Sequence, residues 1–443
     1  MFRMPGEVYT PKKAAAKTGG WQRPSDWPAM PATAANRVDI LAAVFNTDGN
    51  YVAVNATVSS GNYTVDWGDG TITTNYTSAA TASHQYTYST LGTSLLSDGS
   101  KTATIKIYPT TGGANITAFD LSVKNSTSGL NGYSNPWLDI QINTPSCTSM
   151  SLRLNTLNCY LLQRVNIVAI GALTSLAAAF RTCYSLRSVT WPSGSLTQVT
   201  DISTCFYGCS ALQSVTWPSG SLTQVTTNSG CFQNCYSLVS ALWPAGSLAL
   251  TTSIASCFQG CYSLQSITWP TQLSSGTATF TNGSSSIGWS GHPLIPGSPV
   301  QFTTTGSLPT NFAIATTYYV STLGYSSSAF QVSSTASAAL TGGAVISAGS
   351  AGSGTQTCAP TQPLSSVSSA TTAFSSTYSL SNMSNCAIPV TFSVSSCQLS
   401  SADLNAIYTA LPTVVGQTMT ASLNYGYAGS TTSIATGKGW TVN

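Results

Sequence analysis

A repeat of constant length dominates the middle of the chain. Between Cys183 and Pro270 the sequence runs CYSLRSVTWPSGSLTQV, CSALQSVTWPSGSLTQV, CYSLVSALWPAGSLAL and CYSLQSITWP, with equivalent residues 26 positions apart. A constant period of this length predicts a solenoid, because one coil cannot bury its apolar face without a neighbour. The interval holds in three columns: Cys183, Cys209, Cys235 and Cys261; Trp191, Trp217, Trp243 and Trp269; Phe180, Phe206, Phe232 and Phe258.

Weaker copies of the repeat lie on both sides of the regular ones. CYLLQRVNI begins at Cys159, and FSSTYSL begins at Phe374 with Thr377 in the place of the cysteine. We therefore expect the solenoid to occupy residues 146–282 and to resume in 363–443.

The repeat consensus is F-x-x-C-x-x-L-x-x-[VI]-x-W-P-x-G-S-L. It resembles the leucine-rich repeats of bacterial surface antigens, the BspA-like class, with tryptophan where that family usually has isoleucine. The resemblance implies a leucine-rich-repeat solenoid for these coils.

The segment 283–362 interrupts the repeat with residues rich in Gly, Ser and Thr. It includes SPVQFTTTGSLPTNFAIATTYYVSTLGYSSSAFQVSS, in which Val, Phe, Tyr and Thr alternate between turn residues. This pattern favours short strands over disorder. The segment also resembles a small β module inserted in many phage tail proteins, so we expect an inserted β domain.

The C-terminal part predicts one short amphipathic helix. Ser400 and Asp403 form a capping box. With Gly439-Trp-Thr-Val442, the helix resembles the terminal cap of phage repeat proteins, which would cover the last open face of the solenoid. Apolar residues follow the capping box at helical spacing: Leu404, Ile407, Tyr408 and Leu411.

Short alternating stretches broken by Gly, Asn and Asp fill residues 37–145, among them VDILAAVF, YVAVNATV and TATIKIYP. Strands at intervals of about ten residues predict a β-sandwich. The turn Trp67-Gly-Asp-Gly70 and the later His84-Gln-Tyr86 resemble the signature of the polycystic-kidney-disease-type (PKD) domain. The resemblance implies structural roles for six residues: Trp67, Gly68, Asp69, Gly70, His84 and Tyr86.

A calcium site is an alternative interpretation of the same turn, because Asp66 and Asp69 are close in sequence. Two carboxylates fall short of the roughly six to eight oxygen ligands that Ca²⁺ takes. Gly68 and Gly70 permit positive φ in a tight hairpin, and Asp69 can cap its own turn. We favour a structural turn and predict no metal site.

Charged side chains are rare and unevenly placed. Lys, Arg, Asp and Glu make up 6% of the 443 residues, and Asp403 is the only one between Ile202 and Gly437. Hydroxyl and amide side chains must therefore solvate that surface. The net charge of +3 supplies no basic stripe, and no apolar run is long enough for a membrane helix. We expect no nucleic-acid partner and no membrane insertion.

Residues 1–36 carry the positive excess. We predict an extended arm that anchors the protein by becoming ordered on a partner, with a floppy tail as the alternative. No continuous apolar region with a small-residue cleavage site follows the N-terminus, so we expect no signal peptide. The predicted anchoring side chains are Arg3, Lys12, Lys13, Lys17 and Arg23.

Twelve cysteines leave three interpretations: packed thiols, metal ligands or disulfides. Cys205 and Cys209 have C-x-x-x-C spacing, as do their equivalents in the next two coils. Structural zinc needs four ligands in one tetrahedron, whereas these pairs recur once per coil and would form continuous rows. We favour packed free thiols.

The column of tryptophans is the candidate binding site. An indole in every coil would form a ladder suited to stacking on sugar rings if the rings face solvent. The alternative is that each tryptophan replaces a core isoleucine and packs inside, which the neighbouring Val or Ile and Pro favour. The residues of the possible glycan ladder are Trp191, Trp217, Trp243 and Trp269.

Residues for acid–base catalysis are nearly absent. The chain has two histidines and one glutamate; His84 belongs to the sandwich motif, and His292 precedes a proline in a Gly-rich loop. A glycosidase uses two carboxylates, and the chain after Asp201 holds only Asp403. We therefore predict a protein that is not an enzyme and has no cofactor.

The stretch WQRPSDWPAMP resembles an N-terminal region that recurs in virion proteins of tailed bacteriophages. The resemblance implies a virion structural protein, assembled in the host cytoplasm, with tail, neck or capsid proteins as partners. Repeats and sandwich modules form rigid display surfaces. We expect a tail or head fibre or spike component that attaches to the host, with a host surface glycan as a candidate ligand.

Two other assignments stay open. A capsid decoration protein would clamp neighbouring shell subunits with the same domains, and its copy number per particle would be in the hundreds. A bacterial surface adhesin is disfavoured by the missing signal peptide. The sequence leaves the oligomeric state open, a homo-oligomer included, and it contains no coiled-coil heptad pattern.

Overall fold

The structure is a computed structural model of the 443-residue chain, and it describes residues 21–32, 34–47, 50–123, 125, 136–151 and 160–443. These residues form mostly β structure with three short α-helices, which confirms the class expected from the sequence. No helix among them has the length and apolar character needed to cross a bilayer.

Two β-sheets enclose the N-terminal part of the core. One has the order β4-β3-β6-β1-β8 and continues beyond β8, and the other has the order β5-β2-β7-β9. A 3-10 turn spans Tyr88–Thr90. The strands are β1 (Arg37–Val44), β2 (Tyr51–Val58), β3 (Asn62–Asp66), β4 (Ile72–Thr77), β5 (Thr81–Gln85), β6 (Lys101–Pro109), β7 (Ile116–Asp120), β8 (Trp137–Thr144) and β9 (Ser149–Ser151).

Strand β1 is buried on both of its faces. The even-numbered residues from Val38 to Val44 belong to the main core, whereas Leu41 and Ala43 face a smaller cluster that contains Trp27. A strand covered on both faces needs a nearly continuous apolar run, which is what the sequence of β1 supplies. Residues 21–32 thus form part of the cover over this sheet.

The first sheet runs into the solenoid without a break. β10 (Arg164–Ile170) pairs in parallel with β8, and β11 (Ser188–Thr190) pairs in parallel with β10. One apolar cluster extends from Val38 to Trp440. The boundary placed between residues 145 and 146 from the sequence therefore does not separate two cores, because β8 belongs to both parts of the sheet.

Parallel coils follow, each stacked on the one before it. Bridges join equivalent residues of successive coils, as in Asp201–Thr227 and Thr227–Ser253. β12 (Ser240–Leu242) and β13 (Ser266–Thr268) pair in the same way. Inside the coils, four phenylalanine rings stack with centroids 5.1 to 5.7 Å apart: Phe180, Phe206, Phe232 and Phe258.

A separate β segment interrupts the coils. The spacing of bridged residues grows from 26 in Thr227–Ser253 to 116 in Ser253–Ser369, so 90 residues are interposed. They form sheets of order β14-β21-β17-β18-β20 and β15-β16-β19 around an apolar cluster of their own. Their first strand begins at Gly276, before the residue 283 expected from the sequence. The elements are β14 (Gly276–Thr277), β15 (Thr279–Phe280), β16 (Ile287–Gly288), β17 (Pro299–Thr304), β18 (Tyr318–Val320), β19 (Ala329–Phe330), β20 (Val332–Ser333), α1 (Ala336–Thr341) and β21 (Gln356–Pro360).

The coils resume after this segment. β22 (Asn382–Ser384) pairs in parallel with β13, which continues the ladder across the interposed residues. The last parallel sheet has the order β23-β24-β25. The remaining elements are β23 (Phe392–Ser393), α2 (Ser401–Ala410), β24 (Gln417–Thr420), a 3-10 turn (Tyr427–Gly429), α3 (Ser433–Thr436) and β25 (Trp440–Val442).

Helix α2 confirms the capping box predicted from the sequence. Ser400 Oγ accepts a hydrogen bond from the Asp403 backbone N–H at 3.2 Å, and the Asp403 carboxylate accepts one from the Ser400 N–H at 3.0 Å. The apolar residues at helical spacing, Leu404, Ile407, Tyr408 and Leu411, are all buried.

Candidate recognition surface

The residues of the WGDG turn and of β5 form one network. The His84 ring stacks on Trp67 with centroids 5.0 Å apart, and its Nε2 lies 2.7 Å from Asp69 Oδ2. The Tyr86 hydroxyl donates to the Trp67 carbonyl oxygen at 2.7 Å. Gly68 has φ of 79°, and a Cβ there would lie 2.5 Å from the Thr104 carbonyl oxygen, so only glycine fits.

The carboxylates of this turn are bound by the protein itself. Asp66 pairs with Lys106 Nζ at 2.7 Å, and Asp69 accepts from the Thr71 N–H at 2.9 Å. Among the residues that the structure describes, no group of three or more His, Cys, Asp or Glu could hold a metal ion. The geometry therefore gives the motif a structural task, which is to fix the hairpin between β3 and β4.

Eleven cysteines lie in the described ranges, and all are buried and outside any disulfide; Cys159 lies outside those ranges. In one column each thiol donates to the carbonyl oxygen of a phenylalanine in the preceding coil. The bonds are Cys209 to Phe180 at 3.0 Å, Cys235 to Phe206 at 3.0 Å and Cys261 to Phe232 at 2.9 Å.

Burial keeps these thiols protonated. It raises the pKa of Cys261 to about 12, and it raises the pKa of Cys205, Cys231 and Cys257 well above the ordinary value. A thiolate is the form that attacks disulfides and binds metals. The cysteine rows therefore serve packing, as the sequence favoured.

The tryptophan column is buried, so the interpretation as a solvent-facing sugar ladder is wrong. Trp217, Trp243 and Trp269 are 7%, 3% and 0% exposed, and Trp191 is half-buried. Successive indoles stack at 5.8 to 6.3 Å, and each ring meets a core phenylalanine edge-on at about 5.9 Å. Trp217 and Trp243 have an indole against both of their ring faces, so no face of theirs remains for a sugar ring.

Edges of two tryptophans border a groove beside the interposed segment. The groove has a volume of about 540 Å³ and is lined by Trp217, Trp243, Leu242, Pro293 and Ile295 among others. Ile295 belongs to the interposed segment, and a Cβ on Gly220 of the solenoid would lie 2.9 Å from its Cδ1. The groove is thus a packing seam between the two parts.

Arg23 is engaged within the chain, which corrects its assignment to a partner-binding arm. Its Nε lies 2.9 Å from a carboxylate oxygen of Asp139, and Arg164 binds the same buried carboxylate at 2.8 Å. Trp21 donates its indole N–H to Gln163 at 3.2 Å. This contact ties residues 21–32 to the junction of β8 and β10. The other predicted anchoring residues, Arg3, Lys12, Lys13 and Lys17, lie outside the described residues.

His292 lies buried in the interposed segment. The rings of Phe330, Tyr325 and Trp289 surround it at centroid distances of 5.1, 5.6 and 6.0 Å. Neither ring nitrogen has a hydrogen-bond partner among the described residues. The side chain is packed as an aromatic ring, without the acid–base partner that catalysis requires.

A different aromatic column faces solvent. The position directly after the column of Cys183, Cys235 and Cys261, and its equivalents in the flanking coils, holds a tyrosine. These side chains form what we call the tyrosine row: Tyr160, Tyr184, Tyr236, Tyr262 and Tyr378. Their rings stack in pairs at 5.4, 5.2 and 6.0 Å. Tyr236, Tyr262 and Tyr378 are 44%, 49% and 52% exposed. The row follows the solenoid axis and crosses the interposed segment at the step from Tyr262 to Tyr378.

One coil has Ser210 at this position, and Tyr207 lies nearby. Partial burial, followed by the neighbouring phenols of Tyr160, Tyr207 and Tyr236, raises the pKa of Tyr184. The phenols are thus within electrostatic range of one another across the step at Ser210. The raised pKa keeps the Tyr184 phenol uncharged at neutral pH.

Planar polar side chains line one flank of the tyrosine row. Three residues earlier in each coil stands a second column, the polar row: Arg181, Tyr207, Gln233, Gln259 and Ser375. Gln233 Nε2 donates to Gln259 Oε1 at 2.8 Å, and the Arg181 guanidinium lies 4.8 Å from the Tyr207 ring centroid. In the coils of Tyr236 and Tyr262, an amide thus stands three residues before a phenol.

A sequence signal for this surface was present and was missed. The tryptophan column keeps Trp in every regular coil, whereas the tyrosine column accepts Ser210 in one of them. A position that tolerates a small polar residue in place of an aromatic ring is exposed more often than buried.

Comparison with known proteins bears on the repeats. Residues 158–287 match the family model of the BspA type leucine rich repeat region, in six copies. This match confirms the leucine-rich repeats expected from the consensus and covers less than a third of the chain. No curated protein and no solved structure matches the chain significantly.

Proposed function

We propose, taking residues 158–287 as a BspA type leucine-rich-repeat region, that the chain is a non-enzymatic structural protein of a tailed-bacteriophage virion. In this proposal it forms a tail or head fibre or spike, and its solenoid presents the surface that attaches to the host. Its partners are other virion proteins at one end and a host receptor at the other.

The observation that carries the proposal is the exposed tyrosine row. Tyrosine is enriched at recognition surfaces, because its rigid ring offers both apolar area and a hydroxyl at a low entropy cost. Five tyrosines at one repeat position, on a surface with almost no charge, form a stripe that is interrupted at Ser210. A stripe of this kind suits binding to an extended receptor.

The other parts fit a display role. We assign the two-sheet unit to a PKD-like sandwich, supported by the contacts among Trp67, Asp69, His84 and Tyr86. We assign the interposed strands to an inserted β domain, supported by their separate apolar cluster. The anchoring role is left to the basic residues before Trp21.

Competition for host adsorption tests the proposal. The purified full-length chain should block adsorption of the phage, and the double variant Tyr236→Ser, Tyr262→Ser should block it at least about tenfold less well, as for loss of a hot spot. Serine is the matched substitution because Ser210 occupies the same position in a natural coil. Tyr425→Ser, at an exposed tyrosine outside the row, is the control.

Two results would overturn the proposal. Unchanged adsorption in the presence of excess chain would remove the attachment role. Hundreds of copies per particle, counted by quantitative mass spectrometry, would favour the capsid decoration protein over a fibre or spike.

A further inference from the structure

Resting on the proposed function, we propose that the tyrosine row and the polar row bind an uncharged, linear polysaccharide that lies along the solenoid axis. Three properties of this surface support that ligand class: the spacing of its tyrosine rings, its exposed polar groups and its lack of charge.

The distance between successive tyrosine rings favours a polymer with a short, regular unit. Stacked tyrosine rings follow one another at 5.2 to 6.0 Å on both sides of the step at Ser210, and the same spacing returns after the interposed segment. A ligand whose own unit has a comparable length can make the same contact at each coil. A linear chain of sugar rings has that property.

The exposed groups suit sugar hydroxyls. Because the tyrosine rings stack on one another, their faces are covered and their edges are exposed; the Tyr378 hydroxyl donates to Ser376 Oγ at 3.3 Å. A phenol and a primary amide each combine a donor with an acceptor, as does each sugar hydroxyl. Gln233 donates one amide N–H to Gln259 Oε1. Gln233 Oε1 and the Gln259 amide N–H groups are then left for a ligand.

The charge of the surface selects against ionic polymers. Arg181 is the one charged side chain in the two rows, and its guanidinium already lies against Tyr207. From Ile202 to Gly437 the sequence holds a single charged residue, Asp403. An anionic chain needs a line of cations to offset the loss of its counterions, and this surface has none beyond the first coil.

A glycan array probed with the full-length chain tests the inference. The array carries linear uncharged oligosaccharides of increasing length, their sialylated or uronic-acid counterparts, and branched forms. We expect binding to a linear uncharged series that tightens from disaccharide to hexasaccharide as more coils are engaged. Binding should be insensitive to salt, because no ion pairs form.

The same serine variants identify the surface. Tyr236→Ser with Tyr262→Ser should lower glycan affinity about tenfold or more, as for truncation of hot-spot tyrosines. Gln233→Ala with Gln259→Ala should lower it as well, whereas Tyr425→Ser should leave it unchanged. Circular dichroism verifies that each variant keeps the wild-type fold.

The outcomes separate this inference from the proposed function. Loss of adsorption in the tyrosine variant without any glycan binding by the wild type would overturn the glycan inference and leave the attachment role standing, with a protein receptor. Binding restricted to acidic glycans would also overturn it. Glycan binding that depends on the tyrosines, with no part in adsorption, would support the site and overturn the proposed function.

Discussion

The contacts of single residues explain why cysteine occupies two positions in each of three successive coils. The side chain must be small enough for a fully buried site, and at the second position it must also serve a phenylalanine carbonyl of the preceding coil. Cys209, Cys235 and Cys261 do both with one sulfur atom. Each of these carbonyl oxygens also accepts a backbone N–H hydrogen bond, as from Cys183 to Phe180 at 3.2 Å, so the thiol adds a second, weak hydrogen bond to the volume that the cysteine fills.

Burial of these thiols predicts that the protein loses stability in alkali. In the unfolded chain a thiol ionises above about pH 8.5, whereas in the folded chain Cys261 keeps its proton until about pH 12. Above pH 8.5 the unfolded state therefore binds fewer protons, and the free energy of unfolding falls as pH rises. Each such thiol contributes a slope of about 1.4 kcal/mol per pH unit.

Urea unfolding in the presence of reductant, from neutral pH to about pH 10, measures this slope. The triple variant Cys205→Ala, Cys231→Ala, Cys257→Ala should be less stable at neutral pH. Its slope should be smaller by about 4 kcal/mol per pH unit. An alkaline slope equal to that of the wild type would show that the thiols ionise in the folded protein.

The buried and exposed aromatic residues show what a repeat pattern can settle. A period of 26 places Trp217 and Tyr236 in columns, but the period alone does not say which column faces inward. That depends on the path of the coil between the columns, which turns at residues with positive φ, such as Thr204 and Asn234. The capping box at Ser400 was predictable because all of its contacts are local.

Each coil turns at the same positions, and the residues at these corners must adopt a left-handed backbone conformation. The position that precedes the second cysteine is left-handed in five coils: Thr182, Gly208, Asn234, Gly260 and Ser376, with φ between 60° and 76°. Three of the five are not glycine, so the fold accepts the modest cost of a left-handed residue with a side chain here. A β-branched apolar side chain would have the full conformational energy of left-handed φ, because it has no polar group that could hydrogen-bond locally.

Gly208 offers a direct test of this corner. A Cβ there would have no atom closer than 3.7 Å, so the space is sufficient and only the backbone conformation matters. Gly208→Asn should change the free energy of unfolding by less than about 1 kcal/mol, because asparagine adopts left-handed φ readily. Gly208→Val should lower it by about 2 kcal/mol.

Urea denaturation of the two variants beside the wild type gives both values. The asparagine variant is the matched control, since Asn234 is the natural residue at that corner two residues before Tyr236. Equal losses in both variants would mean that side-chain volume at the corner, and not φ, sets the cost.

Across the whole molecule, long-range pairing joins parts that the sequence presents as separate. β8 pairs with β1 on one edge and with β10 on the other, so the sandwich and the solenoid share one sheet. Arg23 and Arg164 both bind Asp139 at this junction, and Arg23 lies 116 residues before Asp139 in the chain. No local motif announces such contacts, which is why the sequence suggested a boundary at 145/146.

The interposed segment, in contrast, is an addition to a solenoid that is continuous without it. The solenoid already continues across it: Phe258 stacks on Phe374 at 6.2 Å, and Tyr262 stacks on Tyr378 at 6.0 Å. Gln272 Nε2 also reaches the Pro360 carbonyl oxygen at 3.4 Å, so the two ends of the segment lie close together. Its core is separate from that of the coils.

We therefore expect that deleting residues 272–361 leaves a folded solenoid. Joining Thr271 to Gln362 removes 90 residues and restores the 26-residue spacing from Leu248 to Leu364. The variant loses the packing of Ile295 beside Gly220 and the hydrogen bond from Gln224 to the Gly297 carbonyl, so its unfolding midpoint should fall moderately. Circular dichroism and urea unfolding should show one cooperative β transition.

A deletion of 272–374, half a coil longer, is the control, because it places apolar residues of one coil against polar residues of the next and should aggregate. The 272–361 variant also retains every residue of the tyrosine row. It should therefore keep host adsorption if that row is the receptor site. A soluble, folded variant that no longer adsorbs would instead move the receptor site to the interposed segment.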